Sequence, residues 1–265
     1  NFQNDKLDFS NILGDLLRNF ANNEGKKGSD FTTPDSVSQL MMELINPEKG
    51  VVLDSTCGTG GFFQKIENNY PSGKFKFYGQ EFNRSTLAIA KLRFAFNKKS
   101  TIQFGESKNT LEYDQFPDLK ADYVIMHPPF NVKQWTNQLR EIDPRFEFGL
   151  PPKGNANFAW IQHAISHLNN NGKAALLLSN NSLSSRGKEG EIRKRLLEAD
   201  LIEAIITLPS QLLAGTSIPS CIWLLNKNKS QKEKFLFIEV DFREYLMMII
   251  FLNFQQYSIF GKRMI

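Results

Sequence analysis

The stretch VVLDSTCGTGG, residues 51–61, decides the fold. Its first four residues, Val51 to Asp54, read as a buried parallel strand ending in an acid. Gly58, Gly60 and Gly61 then crowd a short turn, and the next segment, FFQKIEN, has the spacing of a helix. Strand, glycine-rich turn and helix in that order let a ligand approach the backbone and meet exposed N–H groups at a helix start. A dinucleotide site prefers G-x-G-x-x-G. Gly58 and Gly60 fit its first two glycines, but Phe63 stands at the third. That departure argues against a nicotinamide dinucleotide and for a nucleoside without a phosphate. The competing reading is a tight turn with no ligand. Glu81 weighs against it, because an acid at the end of the next strand can grip both ribose hydroxyls. Asp54 can hold the turn or receive a ligand cation.

Outward from this turn, strand and helix patterns alternate. KFKFYGQEF, TIQFGES, ADYVIM, KAALLLS, IEAIITLP, SCIWLLNK and KFLFIEV read as strands, and RSTLAIAKLRFAF, FAWIQHAISHL and GEIRKRLLEAD as helices. Upstream, residues 9–21 have helical spacing. Thr33 is expected to cap a second helix, with Pro34 at its first position and Val37, Leu40, Met41, Leu44 and Ile45 on its apolar face. Such alternation predicts an α/β fold, an open and mostly parallel doubly wound sheet with helices on both faces. The expected organisation is a helical segment over residues 1–30, a catalytic domain over 31–240 and an unassigned tail over 241–265.

The segment ADYVIMHPPF, residues 121–130, ends a strand in a stiff corner carrying His127 and Phe130. Prolines do not continue a central strand, and each forces an extended residue before it. Such a corner holds polar acceptors rigidly beside an aromatic ring.

With 265 residues, 41% of them hydrophobic, the chain can bury one large α/β core. The formal net charge of +4 permits an acidic partner without requiring one. Two distant cysteines, Cys57 and Cys221, form neither a disulfide framework nor a zinc pattern, so a cytoplasmic setting is expected. No signal-peptide pattern opens the sequence, and the apolar run at residues 245–252 is short of the ~20 residues that span a bilayer. His163 and His167, four apart on one helix face, lack an apparent third ligand, so no metal is expected; they are placed at a partly exposed helix edge. Arg186, Lys188, Arg193, Lys194 and Arg195 either meet phosphates or form a solvated face balanced by Glu189, Glu191 and Glu198.

Several segments, in order, resemble the N6-adenine DNA methyltransferases, and most of all the modification subunit of type I restriction–modification systems. They are LGDLLRNFANNEGKKGSDFTTP, DSTCGTGGF, YGQEFNRSTLAIAKLRF, HPPF, DPRFEFGLPPKGNANFAWIQHAISHL and the long run from LSNNSLSS to IWLLNK. The resemblance implies a Rossmann-like methyltransferase fold and S-adenosyl-L-methionine as cofactor. It implies double-stranded DNA as substrate, separate specificity and restriction subunits as partners, and no membrane. It assigns Phe31, Thr32, Thr33 and Pro34 to the methionine end of the cofactor. Asp54, Thr56, Gly58, Thr59, Gly60 and Gly61 form the cradle. Glu81 takes the ribose, and Glu106 faces the adenine ring.

In that family the target base is flipped into the pocket. An Asn side chain and the first proline carbonyl accept the two N6 hydrogens, and the aromatic stacks on the base. His127, Pro128, Pro129 and Phe130 stand at those positions, with histidine replacing asparagine. Thr32, Ser55 and Asn157 are further departures, replacing an aromatic, a proline and an aspartate. The expectation is that Nδ1 of His127 lies where an Asn amide atom would, and accepts a hydrogen bond only when neutral and protonated on Nε2. Weakened or absent transfer is expected, since a misplaced polar stabiliser costs ~10²–10³ in rate. A catalytically silent relative that binds cofactor or partner only is the other reading.

Overall fold

The computed structural model describes residues 33–95, 100–137, 143–210, 212–213 and 217–241. The expected helix at 9–21, Phe31, Thr32 and the apolar tail from 245 lie outside them.

Eight strands form one sheet: β1 (Gly50–Asp54), β2 (Phe75–Gly79), β3 (Thr101–Phe104), β4 (Ala121–Met126), β5 (Leu168–Ser179), β6 (Ile202–Thr207), β7 (Ser220–Asn226) and β8 (Leu236–Glu239). Their order across the sheet is β3-β2-β1-β4-β5-β7-β6-β8. β3, β2, β1, β4 and β5 pair in parallel, as do β6 and β8, whereas β7 runs antiparallel between β5 and β6. The expected mostly parallel sheet is therefore present. An antiparallel neighbour needs no crossover helix, and β6 joins β7 through a link bounded by Pro209 and Pro219.

Helices α1 (Asp35–Ile45), α2 (Gly61–Asn69), α3 (Arg84–Phe94), α4 (Asn157–His167), α5 (Asn181–Ser184) and α6 (Lys188–Glu198) cover both faces. Alternation along each strand divides the core. Val52, Phe77, Ile125, Ala175 and Leu177 pack with α1, α2 and Phe94 of α3. Leu53, Val124, Met126, Ala174, Leu176 and Leu178 pack with α4 and α6 on the other face. α4 is buried nearly all round, its polar Asn157, Gln162, His163 and His167 included.

Thr33 does not cap α1. Pro34 takes the capping position with ψ 146°, without a side-chain capping bond, and Asp35 is the first helical residue. The proline's extended ψ moves the helix start one residue on and leaves the Thr33 hydroxyl for another partner.

The structure also explains why Phe63 stands where a dinucleotide fold has glycine. Its fully buried ring lies 4.9 Å from Phe77, 6.3 Å from Phe94 and 6.4 Å from Phe104, centroid to centroid. Aromatic packing here holds the helix to the sheet, in place of the close helix–strand approach that a small residue allows. Gly60 cannot be replaced in the same way: its φ is 80°, and a Cβ would come within 2.5 Å of the Phe94 ring. Phe63→Ala is expected to cost ~3–5 kcal/mol in urea unfolding; a loss under ~1 kcal/mol would show that α2 is held by something else.

Candidate active site

Parallel strands end at one edge, and in open α/β sheets that edge receives ligands. Asp54 ends β1, Glu81 lies two residues past β2, His127 directly follows β4, and Ser179 ends β5. These four strands are neighbours, so the candidate residues converge although 125 positions separate the first from the last.

The glycine-rich turn is held by both acids. Asp54 Oδ1 accepts the Thr56 N–H at 3.0 Å and faces its hydroxyl at 3.4 Å. Burial pushes the Asp54 carboxyl up to about 8, against the Thr56 N–H, and the Glu81 charge adds to the rise. Glu81 Oε2 accepts the Gly58 N–H at 3.0 Å, and Oε1 accepts the Asn83 N–H at 2.8 Å. Both oxygens thus already order backbone, a tie across 23 residues that no local pattern signals. Gly58 has φ 55°, and a Cβ on Gly58 or Gly61 would meet nothing within 4 Å, so the turn's face is open to a ligand. Phe82, next to Glu81, is 72% exposed and offers a bare aromatic ring beside it. The sequence reading passed over it, though its adjacency to Glu81 was a usable signal. Glu106, two residues past β3, is exposed and ion-paired with Lys108 at 2.7 Å.

At the corner after β4, Pro128 is buried and Pro129 exposed. The half-buried His127 ring lies 5.3 Å from Phe130 at 51°. Its Nδ1 is 2.8 Å from Thr33 Oγ1. The expectation that Nδ1 would meet the substrate is therefore corrected: Thr33 occupies it, and Nε2 is the nitrogen left for a ligand. Burial lowers His127 to about 4, so the ring is neutral near pH 7.

Behind the corner, Asn131 has φ 53°. Its Oδ1 accepts the Ser179 hydroxyl at 2.8 Å and the Asn157 amide at 3.1 Å. Asn157 is fully buried at the start of α4. Its amide is a neutral donor where an aspartate would leave Asn131 Oδ1 facing a carboxylate.

The two helix histidines are not at an exposed edge: His163 and His167 are 0% and 1% exposed. Asp114 joins them, 2.8 Å from His167 Nε2 and 4.0 Å from His163 Nδ1, a third acid that sequence spacing could not supply. Each ring nitrogen has a protein partner. His167 Nδ1 meets the Leu119 carbonyl at 3.0 Å, and His163 lies between Arg145 Nη1 at 3.3 Å and Ser55 Oγ at 2.9 Å. Arginine only donates, so His163 Nδ1 accepts and its Nε2–H donates to Ser55. The Arg145 guanidinium beside this cluster opposes a cation there. Burial acts to raise Asp114, but the His167 hydrogen bond and the His163 ring outweigh it and hold the acid down to about 2. Ser55 thus ties the glycine-rich turn to α4.

The basic cluster on α6 is largely self-paired. Arg195 meets Glu191 at 3.1 Å, Lys194 meets Glu198 at 3.7 Å, and Arg193 bonds the Ser182 and Ser185 carbonyls. Among the described residues, no helix is long and apolar enough to cross a membrane.

Sheet order and site together define a Rossmann-like methyltransferase. The chain belongs to the N-6 DNA Methylase family, whose profile matches residues 4–247. It is 43% identical over 244 residues to the type I restriction enzyme HindI methylase subunit of Haemophilus influenzae, covering 88% of this chain and 55% of that protein. It is 35% identical to the MjaIX methylase subunit of Methanocaldococcus jannaschii, covering 87% and 43%. The chain spans about half the length of these curated relatives. The type I methyltransferase subunit from Streptococcus thermophilus superposes with a TM-score of 0.72 at 25% identity, covering 86% of this chain and 54% of that one. Membership in this family brings S-adenosylmethionine as cofactor.

Asp54 also predicts a pH dependence. Its pKa rises from 3.8 unfolded to about 8 folded, so the unfolded chain loses this proton first. Its contribution to stability is full below about pH 4 and declines as pH rises through about 8. Asp54→Asn is expected to flatten the fall in Tm between these limits in thermal scans; an unchanged slope would remove Asp54 as its cause.

Proposed function

We propose that the chain is the catalytic core of a DNA adenine-N6 methyltransferase, the modification subunit of a type I restriction–modification system. It acts in the cytoplasm on double-stranded DNA, with a separate specificity subunit to choose the site and a restriction subunit as further partner. The supporting observation is the convergence of Asp54, Glu81 and the His127–Phe130 corner on adjacent strand ends.

S-adenosylmethionine, when bound, supplies a methyl group on a positively charged sulfur that leaves as a neutral thioether. The open faces of Gly58 and Gly61 and the two carboxylates beside them fit a cationic nucleoside. In this reading Glu81 takes the ribose hydroxyls, and Phe82 packs against the adenine. Thr33 and Pro34, with Phe31 and Thr32, line the methionine end, and Glu106 lies toward the adenine edge. Phe130 stacks on the flipped target base. His127 and the Pro128 carbonyl accept from N6, which draws the amine lone pair out of conjugation. His127 does this less well than an asparagine, because the ring is bulkier than an amide.

Calorimetric titration with S-adenosylmethionine tests the cofactor site. Glu81→Ala is expected to weaken saturable binding ~10–100-fold, the scale of a lost charged hydrogen bond. No binding by the folded wild-type chain would sink the reading. Labelled methyl transfer to DNA, with a specificity subunit present, is expected to rise ~10²-fold in His127→Asn. Cofactor binding without transfer in either form would favour the catalytically silent relative.

A further inference from the structure

We propose that Thr33 is a positioning residue that fixes the tautomer of His127, so that Nδ1–H donates to the Thr33 hydroxyl and the Nε2 lone pair faces the substrate amine. This inference rests on the methyltransferase reading above.

The ring nitrogen and hydroxyl oxygen are 2.8 Å apart, so a proton lies between them, and either atom could carry it. Three observations choose the histidine. First, Thr33 is not used as a helix cap: Pro34 is the capping residue of α1, with no side-chain capping bond. Its oxygen is free to accept. Second, no described residue bonds His127 Nε2, whereas Nδ1 is bonded. In the alternative tautomer the Nε2–H would point at the place where the substrate amine must also present N–H, donor against donor. Third, the two tautomers differ in what they can do after the reaction. As N6 gains its bond to carbon, and sulfur keeps the electron pair of the bond that breaks, the amine nitrogen becomes positively charged and must lose one hydrogen. Nε2 with a lone pair takes that proton, giving an imidazolium whose Nδ1–H still donates to Thr33. The imidazolium then releases it to solvent. A ring already protonated on Nε2 can do neither.

The low basicity of His127 does not prevent this, because an amine cation adjoining the adenine ring is a strong acid. It keeps the ring neutral between turnovers. The pairing also explains how a histidine can occupy a corner otherwise suited to an amide. An amide has a fixed acceptor oxygen, whereas imidazole acquires a fixed acceptor only when its other nitrogen is bound.

The chain has three histidines, so long-range 1H–15N correlation spectra of the purified protein are readable ring by ring, with His127→Asn assigning its own signal. His127 should show the Nδ1–H pattern. His163, held by Arg145, should show the opposite Nε2–H pattern and serves as an internal reference. Thr33→Val should abolish the single-tautomer pattern at His127, and Thr33→Ser should retain it. An Nε2–H pattern at His127 in the wild-type chain, or no change in Thr33→Val, overturns the proposal. The spectra need neither DNA nor cofactor. Failure of methyl transfer with the Nδ1–H pattern intact would therefore count against the methyltransferase reading, not against the Thr33 pairing.

Discussion

Parallel pairing of β1 with both β2 and β4 is the constraint on which the site depends. Each parallel neighbour requires the chain to return over the sheet, so the C-terminal ends of these strands and the loops after them fall on one edge. Asp54, Glu81 and His127 come together for that reason alone. The pairing is held from both faces, by the aromatic group around Phe63 on one side and by buried α4 on the other.

On that edge the candidate groups act as scaffold. Glu81 orders Gly58 and Asn83 through their backbone N–H groups. The Asp54 carboxyl holds Thr56 while its burial keeps it near protonation. Both bonds couple the turn to the strands that carry the acids. Ser55 extends the coupling through His163 to Arg145, and the buried polar chain there leaves no ring nitrogen without a partner. Such fully bonded buried networks specify one arrangement of the elements they join.

The corner after β4 is held by partners distant in sequence. The ring of His127 engages Thr33 from the start of α1, while Asn131, one residue past Phe130, is clamped by Ser179 and Asn157. Strands and helices distant in sequence thus grip the corner from both sides. The prolines alone make it stiff; these side-chain bonds determine where it points.

The sequence by itself determined the alternation of strand and helix, the glycine-rich turn, the acids at the ends of β1 and β2, and the Pro-Pro stop after β4, because these follow from local spacing and backbone chemistry. Its ordered segments also carried the family. Only the tertiary structure decided the reversed direction of β7, the burial of His163 and His167 with Asp114, the use of Glu81 to bind backbone, and the commitment of His127 Nδ1 to Thr33. Each of these is a contact between residues 23 to 94 positions apart or the orientation of a strand within a sheet. Local periodicity constrains which face a side chain takes, but which partner it meets depends on how the sheet is assembled.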